Sequence, residues 1–172
     1  MLVALAVLFC GCGPLPGSDA YEGKKLMEKI SPYFRTDAVF TLGDRQISAR
    51  IEASSPGGST ITLTSPGELA GFTYRISRDM VEVHYLDLSF SLANTGAARA
   101  SPLIEAATAL CALLVPTGEK LPTRGEGCWE LTGSFDGGGA TLCLEEETAL
   151  PLKLSLHDAT LIITLENFIF LG

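Results

Sequence analysis

The residues of this sequence best suited to chemistry are its cysteines, which fall into two groups. Cys10 and Cys12 stand at the end of an apolar N-terminal stretch, whereas Cys111, Cys128 and Cys143 are spread through the rest of the 172-residue chain. A cysteine thiol can carry a lipid, form a disulfide or bind a metal ion. No Cys-x-x-Cys pair follows the N-terminal stretch, so the spacing does not predict a zinc site.

The N-terminal stretch has the features of an export signal. Met1–Phe9 is uninterrupted apolar sequence, about half the length needed to cross a bilayer, and small residues and cysteines follow it. Leu8-Phe9-Cys10-Gly11-Cys12 resembles the bacterial lipobox, although Phe9 and Cys10 depart from its favoured residues. Because Gly11 is small and precedes Cys12, the resemblance implies that Cys12 is the cysteine that carries the lipid.

This interpretation divides the chain into a signal peptide at 1–12, a tether at 13–18 and a single domain at 19–172. It predicts a palmitate-type lipid anchor in the membrane and a location in the cell envelope, on the outer face of the cytoplasmic membrane. The first three residues include no basic side chain, which departs from the usual start of a secretory signal. Two alternatives stay open: the true start lies upstream, or the stretch is a buried N-terminal strand or helix.

Nothing in the sequence has the pattern of a catalytic or cofactor site. His84 and His157 fall on the predicted polar faces of strands, and no Gly-x-Ser-x-Gly nucleophile motif is present. Three consecutive carboxylates at Glu145–Glu147 alternate between the faces of a strand end and cannot converge on a cation. We therefore expect no enzyme activity, no cofactor and no bound metal.

The charge balance excludes several classes of partner. The chain has 20 Asp and Glu against 12 Lys and Arg, a net charge of -8, and no charged residue precedes Asp19. Nucleic acid and anionic lipid surfaces both repel such a domain. Membrane association therefore requires the predicted anchor, and the remaining partners to expect are a hydrophobic ligand or an envelope protein.

Most of the chain alternates between apolar and polar residues, which predicts β-strands with one buried face. Short turn-like breaks between the segments predict an antiparallel meander. Near Tyr85 the apolar residues change from odd to even positions, which predicts a bulge or a sharp bend at Tyr85–Asp87. The clearest early strands are Arg45–Ser54, Ser59–Thr64, Gly71–Ser77 and Asp79–Tyr85.

Two of the downstream cysteines lie on the polar face of a predicted hairpin at Gly127–Leu144. In one register Cys128 lies directly opposite Cys143, and export would permit a disulfide between them. In the other register Glu130 lies opposite Cys143, and the bond is not expected. Cys111 is then a buried thiol of a helix, although a disulfide from Cys111 to one of the other two stays an alternative.

Two helices accompany the strands. Asp19–Phe34 has a partial apolar face, and Ser31-Pro32 is expected to end this helix. The second helix starts at Pro102, after Ser101 as a capping residue, and is apolar nearly all round as far as Leu114. Such a helix must be buried. The expected fold is therefore α+β: a curled antiparallel sheet of about ten strands with two helices covering its concave face.

The element order and two short stretches resemble the LolA/LolB-like (LppX-like) lipoprotein carrier superfamily. The stretches are Leu142–Leu154, where Ala149 replaces the glycine that relatives often carry, and Ser65–Tyr74. The resemblance covers most of the chain after the tether. It implies an incomplete β-barrel that holds acyl chains between sheet and helices, and it supplies no catalytic residues.

The apolar strand residues are therefore candidates for lining one concave cavity. They lead to the hypothesis of an anchored extracytoplasmic lipoprotein that binds or carries a lipid in a half-barrel. The alternative is a non-enzymatic envelope interaction or assembly module whose barrel is fully packed by the second helix. The candidate lining residues are Ile47, Ile51, Ile61, Leu63, Phe72, Tyr74, Ile76, Val81, Val83, Trp129, Leu131, Leu142, Leu144, Leu152 and Leu154.

Overall fold

The structure, a computed structural model, describes residues 18–55, 58–95, 101–116, 120–135, 138–157 and 161–171. The predicted signal, the candidate lipid-carrying Cys12 and all of the tether except Ser18 lie outside these residues. Neither described helix is long and apolar enough to cross a bilayer.

The described residues form two helices and one antiparallel sheet of eleven strands that is not closed into a barrel. The expected fold class is thereby confirmed. The elements are α1 (Ser18–Met27), β1 (Phe34–Leu42), β2 (Arg45–Ser55), β3 (Gly58–Ser65), β4 (Thr73–Ile76), β5 (Met80–Tyr85), β6 (Leu88–Ala93), α2 (Pro102–Leu113), β7 (Thr123–Arg124), β8 (Trp129–Phe135), β9 (Gly138–Leu144), β10 (Pro151–Leu156) and β11 (Ile162–Phe170).

The sheet consists of two meanders that meet along one central seam. Its strand order is β6-β5-β4-β3-β2-β1-β11-β10-β9-β8-β7, so that β1 pairs with β11 and the two sheet edges are β6 and β7. The chain passes from one edge to the other through α2. Because the strands present their apolar faces to α2, the core lies between the concave side of the sheet and this helix.

The first helix is shorter than the sequence predicted. It ends at Met27, and Phe34, expected at the end of the helix, is the first residue of β1. The strand assignment follows from burial, because Phe34, Thr36, Ala38 and Phe40 alternate with more exposed residues along β1. The helix also begins at Ser18, the last residue assigned to the tether. Strand β7, at one edge of the sheet, consists of two residues only.

The change of apolar phase near Tyr85 is the turn of a hairpin. Residues Leu86 and Asp87 form the turn between β5 and β6, and Leu86 has a positive φ of 52°. Tyr85 then pairs with Leu88, and the pairing continues to Met80 with Ala93. The even-numbered apolar residues of β6 therefore lie on the same concave face as the odd-numbered residues of β5.

Candidate functional site

The concave face brings the predicted lining residues together across both meanders. Ile51 pairs with Ile61, and Ile61 with Tyr74, in one half of the sheet; Leu131 pairs with Leu142, and Leu142 with Leu154, in the other. Eleven of the candidates, Trp129 among them, are buried, and Phe72, Tyr74 and Ile47 are partly buried against the core.

Leu152 is a correction to the predicted lining. The pairing of β10 with β9 shifts between Pro151 and Lys153, where an extra residue is accommodated as a β-bulge. The bulge turns the Leu152 side chain away from the concave face, and Leu152 is 40% exposed. Leu154, beyond the bulge, is fully buried and pairs with Leu142.

Helix α2 fills the part of the concavity that it covers. It packs mainly against β3, β8, β9 and β10, and its buried residues include Leu103, Ile104, Leu110 and Leu113. At Gly133 of β8 an added Cβ atom would lie 2.8 Å from the Cδ2 atom of Leu113. A side chain at this position would therefore force Leu113 to shift, so the helix and the strand are in close contact here.

The concave face continues beyond the cover of α2 at the β6 end of the sheet. Leu88, Phe90 and Leu92 lie on this face opposite Tyr85, Val83 and Val81, yet they are 70%, 54% and 45% exposed. The adjacent floor of the sheet is aromatic, because the rings of Phe72 and Tyr85 stack with centroids 3.9 Å apart. We name this surface, formed by Phe72, Tyr74, Tyr85, Leu88, Phe90 and Leu92, the open apolar patch.

The sequence candidates omitted the β6 side chains of this patch. Their alternation predicted a strand face, but exposure depends on which part of the sheet α2 reaches. A signal was nevertheless present, because Leu88–Ala93 includes no charged residue, in contrast to most of the other strands. Edge strands that face water normally carry charged side chains.

A polar cluster occupies the convex side of the central seam. The Arg50 Nε atom lies 2.9 Å from Asp37 Oδ1, and the Asn167 side-chain amide donates to Asp37 Oδ2 at 3.0 Å. The hydrogen bond from Asn167 and the neighbouring guanidinium of Arg50 lower the pKa of Asp37. Both carboxylate oxygens of Asp37 are thus engaged, so the cluster ties β1 to β2 and β11 and offers no free base.

A depression of about 350 Å³ lies over this cluster, and it is bordered by Arg35 and Ile169 as well. Its walls are mostly polar or charged side chains on the face away from α2. It is therefore separate from the concave surface on which a lipid was expected.

Cys128 and Cys143 are joined by a disulfide. The bond was expected in the register that places Cys128 opposite Cys143, and this register was wrong. The structure has Glu130 opposite Cys143, the register in which no bond was expected. Cys128 lies in a bend before β8, after Gly127 with a φ of 77°, and it is a diagonal neighbour of Cys143. The two Cα atoms are 5.8 Å apart, within the range that a disulfide spans.

Cys111 is the free cysteine of the described residues, and it lies on α2. Burial raises the pKa of its thiol to about 11, while a hydrogen bond with Ser59 of β3 opposes this rise. A thiol with so high a pKa is almost wholly protonated at neutral pH and is a poor nucleophile. Cys111 is accordingly a packing residue.

The histidines and the acidic run are far apart in the sheet. His84 on β5 and His157, just after β10, are six strands apart in the strand order, about 29 Å measured along the sheet at the usual strand spacing. Glu146 pairs with Arg124, and Glu145 accepts a hydrogen bond from Thr148, so these carboxylates diverge. Within the described residues no group of His, Cys, Asp and Glu could hold a metal ion.

No protein-family model and no curated protein sequence matches the chain. Solved structures do match. An uncharacterized conserved protein from Thermus thermophilus is 15% identical, with a TM-score of 0.50 over 89% of this chain and 88% of the other. A LolA superfamily protein from Nitrosomonas europaea is 12% identical, with a TM-score of 0.49 over 90% and 94%. A DUF1329 family protein from Desulfovibrio piger is 11% identical, with a TM-score of 0.46 over 88% and 93%.

At these identities the likeness is one of fold alone. The strand order and the position of α2 describe an open, curled sheet covered by a helix, which is the architecture that the resemblance to LolA/LolB-like carriers implied.

Proposed function

We propose that this protein is an extracytoplasmic lipoprotein, anchored through Cys12, that binds a lipid or another hydrophobic ligand on the concave face of its half-barrel. The observation that carries the proposal is the open apolar patch. A concave, partly aromatic surface is left uncovered beside a helix that fills the rest of the concavity. Binding sites for small apolar ligands are surfaces of this kind.

The energetics favour an acyl chain as the ligand. Burying a methylene group is worth about 0.8 kcal/mol, so a chain laid along Leu88, Phe90 and Leu92 gains several kcal/mol from a few carbons. The patch itself includes no charged side chain to be desolvated. The same patch has no nucleophile paired with a base, so the proposed role is binding without turnover.

The net charge supports the proposed anchor. A domain with a net charge of -8 is repelled by anionic lipid, so a covalent lipid is the means of keeping it at a membrane surface. A ligand taken from that membrane would then reach the concave face over a short distance.

The ligand proposal is tested with a fatty acid that carries a photoactivatable diazirine. Irradiation of the full-length protein with this probe, followed by peptide mapping, is expected to label Phe72–Leu92, and excess oleate should remove the label. Ile162 and Ile169 are internal controls, because they are 48% and 40% exposed, comparable to Leu92, but lie on the convex side. Equal labelling of these convex residues, or labelling that oleate does not displace, contradicts the proposal.

The anchor is tested by metabolic labelling with palmitate in bacterial cells that express the full-length chain. Cys12→Ala is expected to lose the label completely, because its thiol is the proposed attachment point. Cys10→Ala, two residues away, is the matched control and should retain the label. Continued labelling of Cys12→Ala would show that the lipid, if present, is elsewhere.

The alternative of an envelope interaction module with a packed barrel has one observation in its favour. Beneath α2 the helix packs against the sheet, and the close approach of Leu113 to Gly133 supports a filled concavity there. If this packing extends to the whole functional surface, the diazirine probe will not label the concave face at all, and a protein partner becomes the better candidate.

A further inference from the structure

The two edges of the sheet are protected to different degrees. Helix α1 packs beside edge strand β7 as a partial cover, and Arg124 of β7 ties the two together: its guanidinium lies 2.8 Å from Glu22 Oε2 and 3.5 Å from Asp19 Oδ1. The same guanidinium stacks 4.9 Å from the centre of the Trp129 ring. Edge strand β6 has no such cover among the described residues, and all six of its residues are exposed.

The outward-facing backbone groups of β6 follow from its pairing with β5. The Asn94 amide donates to the carbonyl of Asp79 at 2.8 Å, in line with the register that pairs Val81 with Leu92. Since hydrogen-bonded pairs alternate along an antiparallel ladder, the even-numbered residues of β6 point their backbone groups toward β5. The amides and carbonyls of Ser89, Ser91 and Ala93 therefore point away from the sheet.

The sequence of this edge is a palindrome. Leu88-Ser89-Phe90-Ser91-Leu92 reads the same in both directions. When such a strand pairs antiparallel with itself about a two-fold axis through Phe90, each leucine lies opposite a leucine and each serine opposite a serine. Ser89 and Ser91, whose backbone groups point outward, then become the hydrogen-bonded pairs, and Phe90 lies opposite Phe90 in the non-hydrogen-bonded position, where side chains are closest.

The charges of the edge permit this pairing. Residues 88–95 include no charged side chain, and in this register the carboxylate of Asp87 lies opposite Ala93 of the second copy. Two acidic chains could thus meet without opposed carboxylates. Proline, lysine and bulges, which usually prevent edge-to-edge association, are all missing from β6.

We propose that two copies of this chain associate through β6, paired antiparallel about Phe90, so that their sheets become one. The partner of the edge is a second copy, because the palindrome pairs with itself so that the outward backbone groups and the side chains of both copies match. The leucines and phenylalanines remain on the concave side, which joins the two open apolar patches into one floor. This inference is independent of the proposed ligand.

Cysteine cross-linking of the full-length chain in nonionic detergent tests the register. The Cα atoms of a non-hydrogen-bonded pair are about 4.5 Å apart, which a disulfide spans, so Phe90→Cys should form a covalent dimer on mild oxidation. In the proposed register residue 88 of one copy lies opposite residue 92 of the other. The two copies of residue 88 are therefore about 13 Å apart, and Leu88→Cys should not cross-link with itself. We expect at least ten-fold more dimer from Phe90→Cys on non-reducing electrophoresis.

The backbone contribution is tested with proline. Ser91→Pro removes an outward-facing amide and leaves the bonds to β5 intact, so it should abolish cross-linking of Phe90→Cys in a folded protein. Ser91→Ala is the matched control and should retain cross-linking. Equal cross-linking of Phe90→Cys and Leu88→Cys, or undiminished cross-linking with Ser91→Pro, would overturn the proposed pairing.

Discussion

Replacing Leu154 with alanine is expected to lower the free energy of unfolding by about 2–5 kcal/mol. Leu154 is fully buried on the concave face, where it pairs with Leu142 of β9 and Ile163 of β11. Its removal forfeits the burial of the side chain and leaves a cavity that the surrounding strands cannot fully close. Denaturant unfolding followed by circular dichroism measures the change.

Leu152→Ala is the matched control for this prediction. It makes the same substitution two residues earlier on the same strand, and alternation alone gives the two leucines the same environment. Because the bulge between Pro151 and Lys153 turns Leu152 outward, its loss should cost about 1 kcal/mol or less. Equal losses for the two variants would show that the bulge is not present.

Removal of the Cys128–Cys143 disulfide is expected to have the next largest effect. The bond closes a loop with a sequence separation of 15. Without it the unfolded chain gains conformational entropy, which lowers the free energy of unfolding by about 3 kcal/mol. The double variant Cys128→Ala with Cys143→Ala should unfold at a correspondingly lower denaturant concentration.

A reducing agent provides the control for this second prediction. It should lower the stability of the natural chain to that of the double variant and should leave the double variant unchanged. Cys111→Ala must still respond to the reducing agent, because its thiol is outside the bond. A natural chain whose stability is insensitive to reduction would contradict the assigned pairing.

The sheet could be predicted from sequence because its signal is local. Alternating residues such as Val81, Val83 and Tyr85 show both that a strand is present and which of its faces is apolar. The change of phase at Tyr85 also pointed to the turn between β5 and β6. Helix α2 was equally clear, since a segment that is apolar all round has to be buried.

Features that depend on pairing were not predictable. The bulge before Leu154 adds a residue without disturbing the pattern of leucines along β10, so nothing marked Leu152 as different. The disulfide was expected for a register that the hairpin does not adopt, because the diagonal approach of Cys128 arises from a bend outside the strand. Phe34 belongs to β1, where it pairs with Phe170 and stacks on Phe168, both more than 100 positions away.

The candidate site was predictable only in part, and for a related reason. Sequence periodicity identifies an apolar face, but it does not say how far a covering helix reaches. The candidates Ile51, Ile61 and Leu131 are consequently core, whereas Leu88 and Phe90, which were not proposed, lie on the accessible surface.

The central seam, where β1 pairs with β11, also determines when the sheet can be completed during folding. It joins the first strand to the last, as in the hydrogen bond from Thr36 to the carbonyl of Glu166, 130 residues away. During synthesis β1 leaves the ribosome long before β11 has been made. The β1 edge of the first meander therefore stays unpaired during this time. Such late, non-local closure slows folding, and it leaves the sheet unfinished until β11 is available.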